Sequence, residues 1–289
     1  MTQTEYYAKL TASESNLVPP HGYTYDNSCP SDFRYKFVYH TQYPELLRSY
    51  PLADIAGNGT TFEQALNLMN WLSAKTFYCG NSKLGKNDLF SIIDYSFDKG
   101  WEGAINCEHK ATLLQEFLIA LHHFAHIICF ESYCVNDGGT AITSINCHVC
   151  VHLYLPEENK WILLDPSFGT YFTDKNGKKL NIVEIQEFLR RNGVVQVCNY
   201  SLNGTEIFRK GYPVSFIYNM AFRVSLRNGN RKEDFVYNQN LLFPANVDKE
   251  NYYRMKQSAN GMSKNEIDDQ IPHVRYITAD ELLGKPAWS

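Results

Sequence analysis

Three side chains that together could make a sulfur nucleophile follow one another along this chain. The first is Cys107, in the stretch GAINCEHKATLLQEFLIALHHF. It stands at the start of a long apolar-periodic helix, where backbone N–H groups point outward without partners and the helix dipole favours negative charge. A thiolate forms most easily in such a place. Asn106 is a good N-cap for that helix, and Glu108 in the first turn suits its dipole. A thiol nucleophile also needs an imidazole within hydrogen-bond reach and a third group to orient that imidazole. His148, in CHVCVHLYL, and Asp165, at the end of KWILLD, are the candidates.

The elements that must position these groups can be read from periodicity. Cys107, Ala111, Leu114, Leu118, Leu121 and Ala125 fall three or four apart, so one face of a helix from Asn106 to about His126 carries the thiol toward its packing partner. His122, His123 and His126 then sit late in that helix, where imidazoles suit the last carbonyls. In an extended CHVCVHLYL, His148, Cys150 and His152 share one face, and Val149, Val151 and Leu153 take the other. Asp165 joins the His148 face only if an even number of loop residues separates the directly paired strands. A four-residue loop, Pro156 to Asn159, meets that condition.

Around this centre the pattern is mixed. Phe62, Ala65, Leu66, Met69 and Leu72 predict a helix capped by Thr60 or Thr61. NDLFSIIDYSFDKG predicts a short helix closed by Gly100, and NIVEIQEFLRRNG an amphipathic one with a glycine stop. FRYKFVYH, AHIICFESYCV, VQVCNYSL, SFIYNMAFRVSL and DFVYN read as strands, and TADELLG as a last short helix. With no internal repeat and no sharp compositional break, the expected organisation is one α+β domain over residues 1–289. Its core covers about residues 60–190, with an N-terminal and a β-rich C-terminal extension.

Cysteine at a helix start, a strand opened by histidine, then Trp-x-x-x-Asp-Pro: this order resembles the transglutaminase-like superfamily of papain-type folds. The matching pieces are Cys107 with its helix, His148 in HVCVHLYL, and WILLDPSFG from Trp161. The resemblance implies helices packed on an antiparallel sheet, with the nucleophile at the N-terminus of the central helix. It implies a triad of Cys107 as nucleophile, His148 as base and acid, and Asp165 as orienting group. The chain departs from the family pattern at Cys150 and His152, where His-x-Trp-x-Glu is common. It departs again at Ile105 before the nucleophile and at His126, where an arginine often follows the helix. Two oxyanion donors are expected: the Cys107 backbone N–H, and an indole N–H for which Trp101, or less directly Trp71, is nearest in sequence.

Such a triad attacks an amide carbonyl through an acyl-enzyme. Peptidase or amidase hydrolysis is favoured, because water needs no acceptor site; transglutaminase-type transfer to an amine uses the same residues. A peptide or protein amide is the expected substrate, with no cofactor. The first rival is an inactive binding module of the same fold. The second is a metal site from His148, Cys150 and His152 with Cys107. However, positions i, i+2 and i+4 of a flat strand span about 13 Å at ~3.3 Å per residue. Bonds to zinc of about 2.0–2.3 Å cannot gather them. No metal is therefore expected.

Composition narrows the class further. The chain has 289 residues, 44% of them hydrophobic, enough to bury a full core, and its net charge of -4 offers no footprint for nucleic acid. No stretch approaches the ~18 apolar residues of a membrane span. The polar start MTQTEYYAKLTASESNLVPPHGY lacks a secretory layout, so a cytoplasmic protein is expected. The eight cysteines are then read as reduced thiols rather than a disulfide framework.

Overall fold

The structure is a computed structural model that describes residues 36–85, 88–131, 147–191, 193–199, 223–226, 239–242, 250, 253–254, 257–258 and 261–288. A two-residue strand β1 (Lys36–Phe37) leads to α1 (Tyr43–Ser49) and α2 (Leu52–Ala56). Helix α3 (Thr61–Lys75) opens on Thr60 with a full capping box, its hydroxyl accepting the Glu63 N–H while Glu63 reaches back to the Thr60 N–H. In α4 (Leu89–Ser96) the Asp88 side chain is the cap. This helix stops earlier than the sequence pattern suggests. Phe97 is already extended, Asp98 has φ 58°, and Gly100, at φ 61°, opens a 3-10 turn over Gly100–Gly103 instead of closing the helix.

Helix α5 (Cys107–Ala120) follows and is buried on all sides except at Glu108. It packs on β2 (Ala125–Glu131) and β3 (Cys147–Leu155) on one side and on α1, α3 and α4 on the other. Its end differs from the expected one near His126. His122 adopts φ 64°, the His123 N–H returns to the Leu118 carbonyl and the His122 N–H to the Ile119 carbonyl, both at 2.9 Å. That is a Schellman stop with histidine in the place usually held by glycine. Tyr39 stacks on the His122 ring at 4.7 Å and donates its hydroxyl to the Ala120 carbonyl, supporting the unusual residue. His126 therefore lies in β2, and His123 bonds Gln64 in the turn.

The sheet continues through β4 (Lys160–Asp165), β5 (Thr170–Thr173), then α6 (Ile182–Arg190), β6 (Gln196–Cys198), β7 (Arg223–Leu226) and β8 (Gln239–Leu242). Helix α7 (Lys264–Gln270), β9 (Val274–Ile277), α8 (Ala279–Leu282) and β10 (Ala287–Trp288) complete the described chain. Among the described residues eight strands form one sheet in the order β6-β5-β4-β3-β2-β7-β8-β9, antiparallel except for the β8–β9 pair. β1 and β10 pair separately. The expected strand DFVYN and most of SFIYNMAFRVSL lie outside the described residues. The fold is thus α+β, with a buried helix set against the middle of a largely antiparallel sheet. None of the described helices is long and apolar enough to cross a membrane.

Candidate active site

The chain reaches Cys107 along a fixed path. The Ile105 N–H donates to the Phe77 carbonyl and the Cys79 N–H to the Ile105 carbonyl, each at 2.9 Å, so the approach is tied like a strand. Asn106 then turns extended, with ψ 179°, and its side-chain oxygen accepts the His109 N–H at 2.9 Å. This cap uses the donor at the third helical position and leaves the Cys107 N–H at the helix mouth.

His148 and Asp165 come from the β3–β4 hairpin. Leu155 pairs with Lys160 across the four-residue connection Pro156 to Asn159, and Val151 with Leu164. That register carries Asp165 onto the His148 face, as the parity argument requires. The ring Nε2 lies 2.8 Å from Asp165 Oδ2, and Asp165 Oδ1 accepts the Ser167 N–H at 2.9 Å. The carboxylate is therefore held from two directions. Phe168 packs against the imidazole with centroids 5.8 Å apart, and Tyr78 meets Phe168 edge-on at 5.0 Å. These rings wall the imidazole in. Cys107 and Cys150 lie near enough to the ring to act on its charge. The three expected residues thus converge on one point. Asp165 and His148 are sealed at 0% and 1% exposure, while Cys107 keeps 8% and is the member nearest solvent.

Electrostatics separate the groups. Burial works against a charged His148 ring, but the Asp165 carboxylate, Cys150 and the hydrogen bond the ring donates to Asp165, with Cys107 adding to them, outweigh it, holding the imidazole well above its ordinary value. Cys150 goes the other way. Burial, reinforced by the Asp165 charge, pushes its thiol up to about 12, so it stays protonated and unreactive in the isolated site.

Of two further neighbours, one escapes the sequence reading and the other is grouped there with His152 rather than with Asp165. Lys110 is one turn beyond Cys107 on the same helix and wholly buried. Its ammonium makes a long 3.5 Å contact with the Thr76 carbonyl, and burial lowers it to about 7 against the pull of Asp165. A lysine at i+3 within the apolar stripe of the helix was the signal. Cys150 is the other: it was visible on the His148 face, but not its convergence with Asp165. His148, Cys150 and Asp165 each bring one metal-binding atom, all within 4.8 Å of one another.

His152 takes no part in that cluster. It faces the other end of β3, where its Nε2 accepts the Ile182 N–H at 3.3 Å and so satisfies a donor at the start of α6. Its ring packs against His126 and Trp161. The metal set read from one strand is thereby replaced by a set that draws on two. Trp71 belongs to an aromatic cluster with Tyr50, Phe97 and Phe117. Phe117 lies ten residues along α5 from Cys107, about 15 Å at 1.5 Å per residue, so that indole is far from the nucleophile. Trp101 is in the 3-10 turn before the helix, half-buried against the core.

No family model matches the sequence, and no curated protein does. A crystal structure of a candidate cysteine protease from Cytophaga hutchinsonii overlaps this chain with a TM-score of 0.33 and 16% identity, covering 55% of this chain and 49% of that one. The chain thus spans about half the length of that protein. An overlap this loose leaves the function to be argued from the site itself.

Proposed function

We propose that the protein is a thiol-dependent enzyme of the transglutaminase-like, papain-type class that cleaves an amide, acting as a peptidase or amidase. The observation that carries this reading is the meeting of a helix-mouth thiol with a buried imidazole whose far side is fixed by a carboxylate. Cys107 passes its proton to His148 and attacks the amide carbonyl. The oxyanion that forms is met by the Cys107 N–H, with Trp101 as the candidate second donor. Collapse expels the amine, which takes its proton from His148, and leaves a thioester on Cys107. Water, deprotonated by the same imidazole, then releases the acid and restores the thiol. An amine in place of water would give acyl transfer with the same residues. Asp165 keeps the ring oriented and stabilises its charged form.

The test is selective alkylation. A substoichiometric dose of iodoacetamide at mildly acidic pH should label Cys107 before the other cysteines, read by peptide mass spectrometry. His148→Ala should slow that labelling strongly, and Asp165→Ala less. Uniform labelling, or labelling of Cys107 indifferent to His148, would overturn the proposal in favour of a binding module that kept the fold without the chemistry. A screen of peptide and glutamine-containing substrates, with and without a primary amine, separates hydrolysis from transfer.

A further inference from the structure

Lys110 is a charged side chain sealed in the interior, and among the described residues it makes no ion pair. An ammonium has three protons to donate, and this one makes a single long contact, 3.5 Å to the Thr76 carbonyl. Lysine is almost never fully buried unless paired. The carboxylate that acts on it is Asp165, the orienting member of the triad. Lys110 also follows Cys107 by three positions on α5, and side chains at that spacing are neighbours on a helix, with Cβ atoms about 5–6 Å apart. Other charges lie elsewhere. Asp94 on α4 and Glu45 and Arg48 on α1 are exposed, and Lys75 on α3 pairs with Asp98 at 2.9 Å. His126 on β2 packs against His152 and Trp161, and the Cys129 thiol turns to the Phe130 carbonyl. On α5 itself, His109 is a little over a quarter turn away, and Glu116 meets Gln42 of α1 at 3.4 Å. From β3 and β4 come His148, Cys150 and Asp165, the groups of the site.

We infer that Lys110 is a positioning residue of the thiol site: its buried ammonium is the counter-charge that lets Cys107 ionise beside the His148–Asp165 pair. A charge count carries this. While Cys107 is a thiol, the imidazolium that Asp165 sustains and the carboxylate itself cancel. Once the thiol has given its proton to solvent, thiolate, imidazolium and carboxylate together hold one net negative charge where almost no water reaches. An uncompensated buried charge is costly. The ammonium returns the four groups to neutrality. Burial lowers Lys110 to about 7, so the counter-charge is complete in mildly acidic solution and is withdrawn as the pH rises through neutrality. The inference rests on the thiol chemistry proposed above.

The experiment compares the full-length reduced protein with Lys110→Met, which keeps the length of the side chain without its charge, and with Lys110→Arg, which keeps the charge. Each is treated with iodoacetamide across the acid and neutral range, and the labelling rate of Cys107 is read by peptide mass spectrometry. A unit charge ~10 Å away at an effective dielectric of ~20 moves a titration by about one unit. In Lys110→Met the midpoint of Cys107 labelling should therefore rise by about one pH unit, slowing the reaction about tenfold on the acid side. In Lys110→Arg it should return toward that of the unmodified chain. An unmoved midpoint in folded Lys110→Met, or one in folded Lys110→Arg as high as in the methionine variant, would overturn the inference. With Cys107 still labelled first and still dependent on His148, the thiol proposal would stand; uniform labelling in the unmodified chain would overturn both. A measurement on the unmodified sequence covers a variant that fails to fold. By NMR on chain carrying isotope-labelled lysine, one side-chain signal should titrate near pH 7. Blocking Cys107 with iodoacetamide should lower that midpoint, because the thiolate that favours the ammonium is gone. No lysine signal responding to the block would overturn the inference.

Discussion

His148 and His152 lie on the same face of the same strand, four residues apart, and both are buried to within 1% of complete exclusion from solvent. Their chemistry is opposite. His148 is held well above its ordinary pKa, whereas His152 is driven down to about 3 by burial. At the His152 end the neighbours are aromatic or neutral: His126, Trp161 and the Ile182 N–H, which needs an uncharged ring nitrogen to accept it. At the His148 end there is a carboxylate at 2.8 Å. Desolvation acts on both rings; only one has a partner strong enough to reverse it. A buried histidine on a strand is therefore neutral packing until a neighbouring strand ends in an aspartate.

The comparison can be broken most violently at the site. His148→Ala should lower amide turnover, once a substrate is in hand, by about 10²- to 10⁴-fold, the usual contribution of a positioned acid–base group. A steady-state assay checks this, and a variant with nearly full turnover would remove His148 from the chemistry. At the packing end the expected effect is on stability and pH. His152 has a lowered folded pKa, so its contribution is complete above about 6.5 and is lost as the pH falls toward about 3. The loss is on the order of 4 kcal/mol for that one ring. His126, also pushed well below its ordinary value by burial and by His152, adds to it in the same direction. His148 has the opposite sign: its raised folded pKa supports the fold below about 6.5, and that support fades only as the pH rises through the folded value. Denaturation followed from pH 7 down to pH 4 should therefore show steep acid destabilisation. His152→Gln, which keeps an acceptor for Ile182 without titrating, should flatten the curve.

Smaller effects sharpen the contrast between packing and chemistry along α5. Leu118→Ala, at a position with no solvent exposure, should cost about 2–5 kcal/mol. Cys107→Ala should cost ~1 kcal/mol or less while abolishing turnover. Denaturant titration of both variants checks this; equal losses would make Cys107 a packing residue. Thr60→Ala, which breaks the capping box of α3 far from either histidine, should cost about 1 kcal/mol and leave alkylation of Cys107 unchanged.

Much of the site could be read before any coordinates, because it depends on local rules. The Asn106 cap sets where α5 starts, and strand parity sets which side chains share a face. The end of α5 was not legible, because a histidine with φ 64° does the work of glycine and the apolar spacing runs on through Leu121 and Ala125. Lys110 was passed over since propensity treats lysine as a surface helix former, and its burial is decided by α3 and the chain around Thr76. Cys150 and Asp165 meet across two strands, which spacing along one strand does not reveal. The order of β7, β8 and β9 beyond β2 follows from long-range pairing that leaves no local mark.

The connection Pro156 to Asn159 is exposed at all four residues, and apart from Asn159, whose φ of 46° favours asparagine or glycine and whose side chain accepts the Tyr154 hydroxyl, its composition can drift among descendants of this gene. Its length should not. Loss or gain of a single codon there would rotate Asp165 to the opposite side of the sheet, while leaving every residue of the triad spelled correctly in the gene. A lineage could thus lose the chemistry through one small indel in an unremarkable surface turn, and an inspection of the conserved letters alone would still score it as an enzyme.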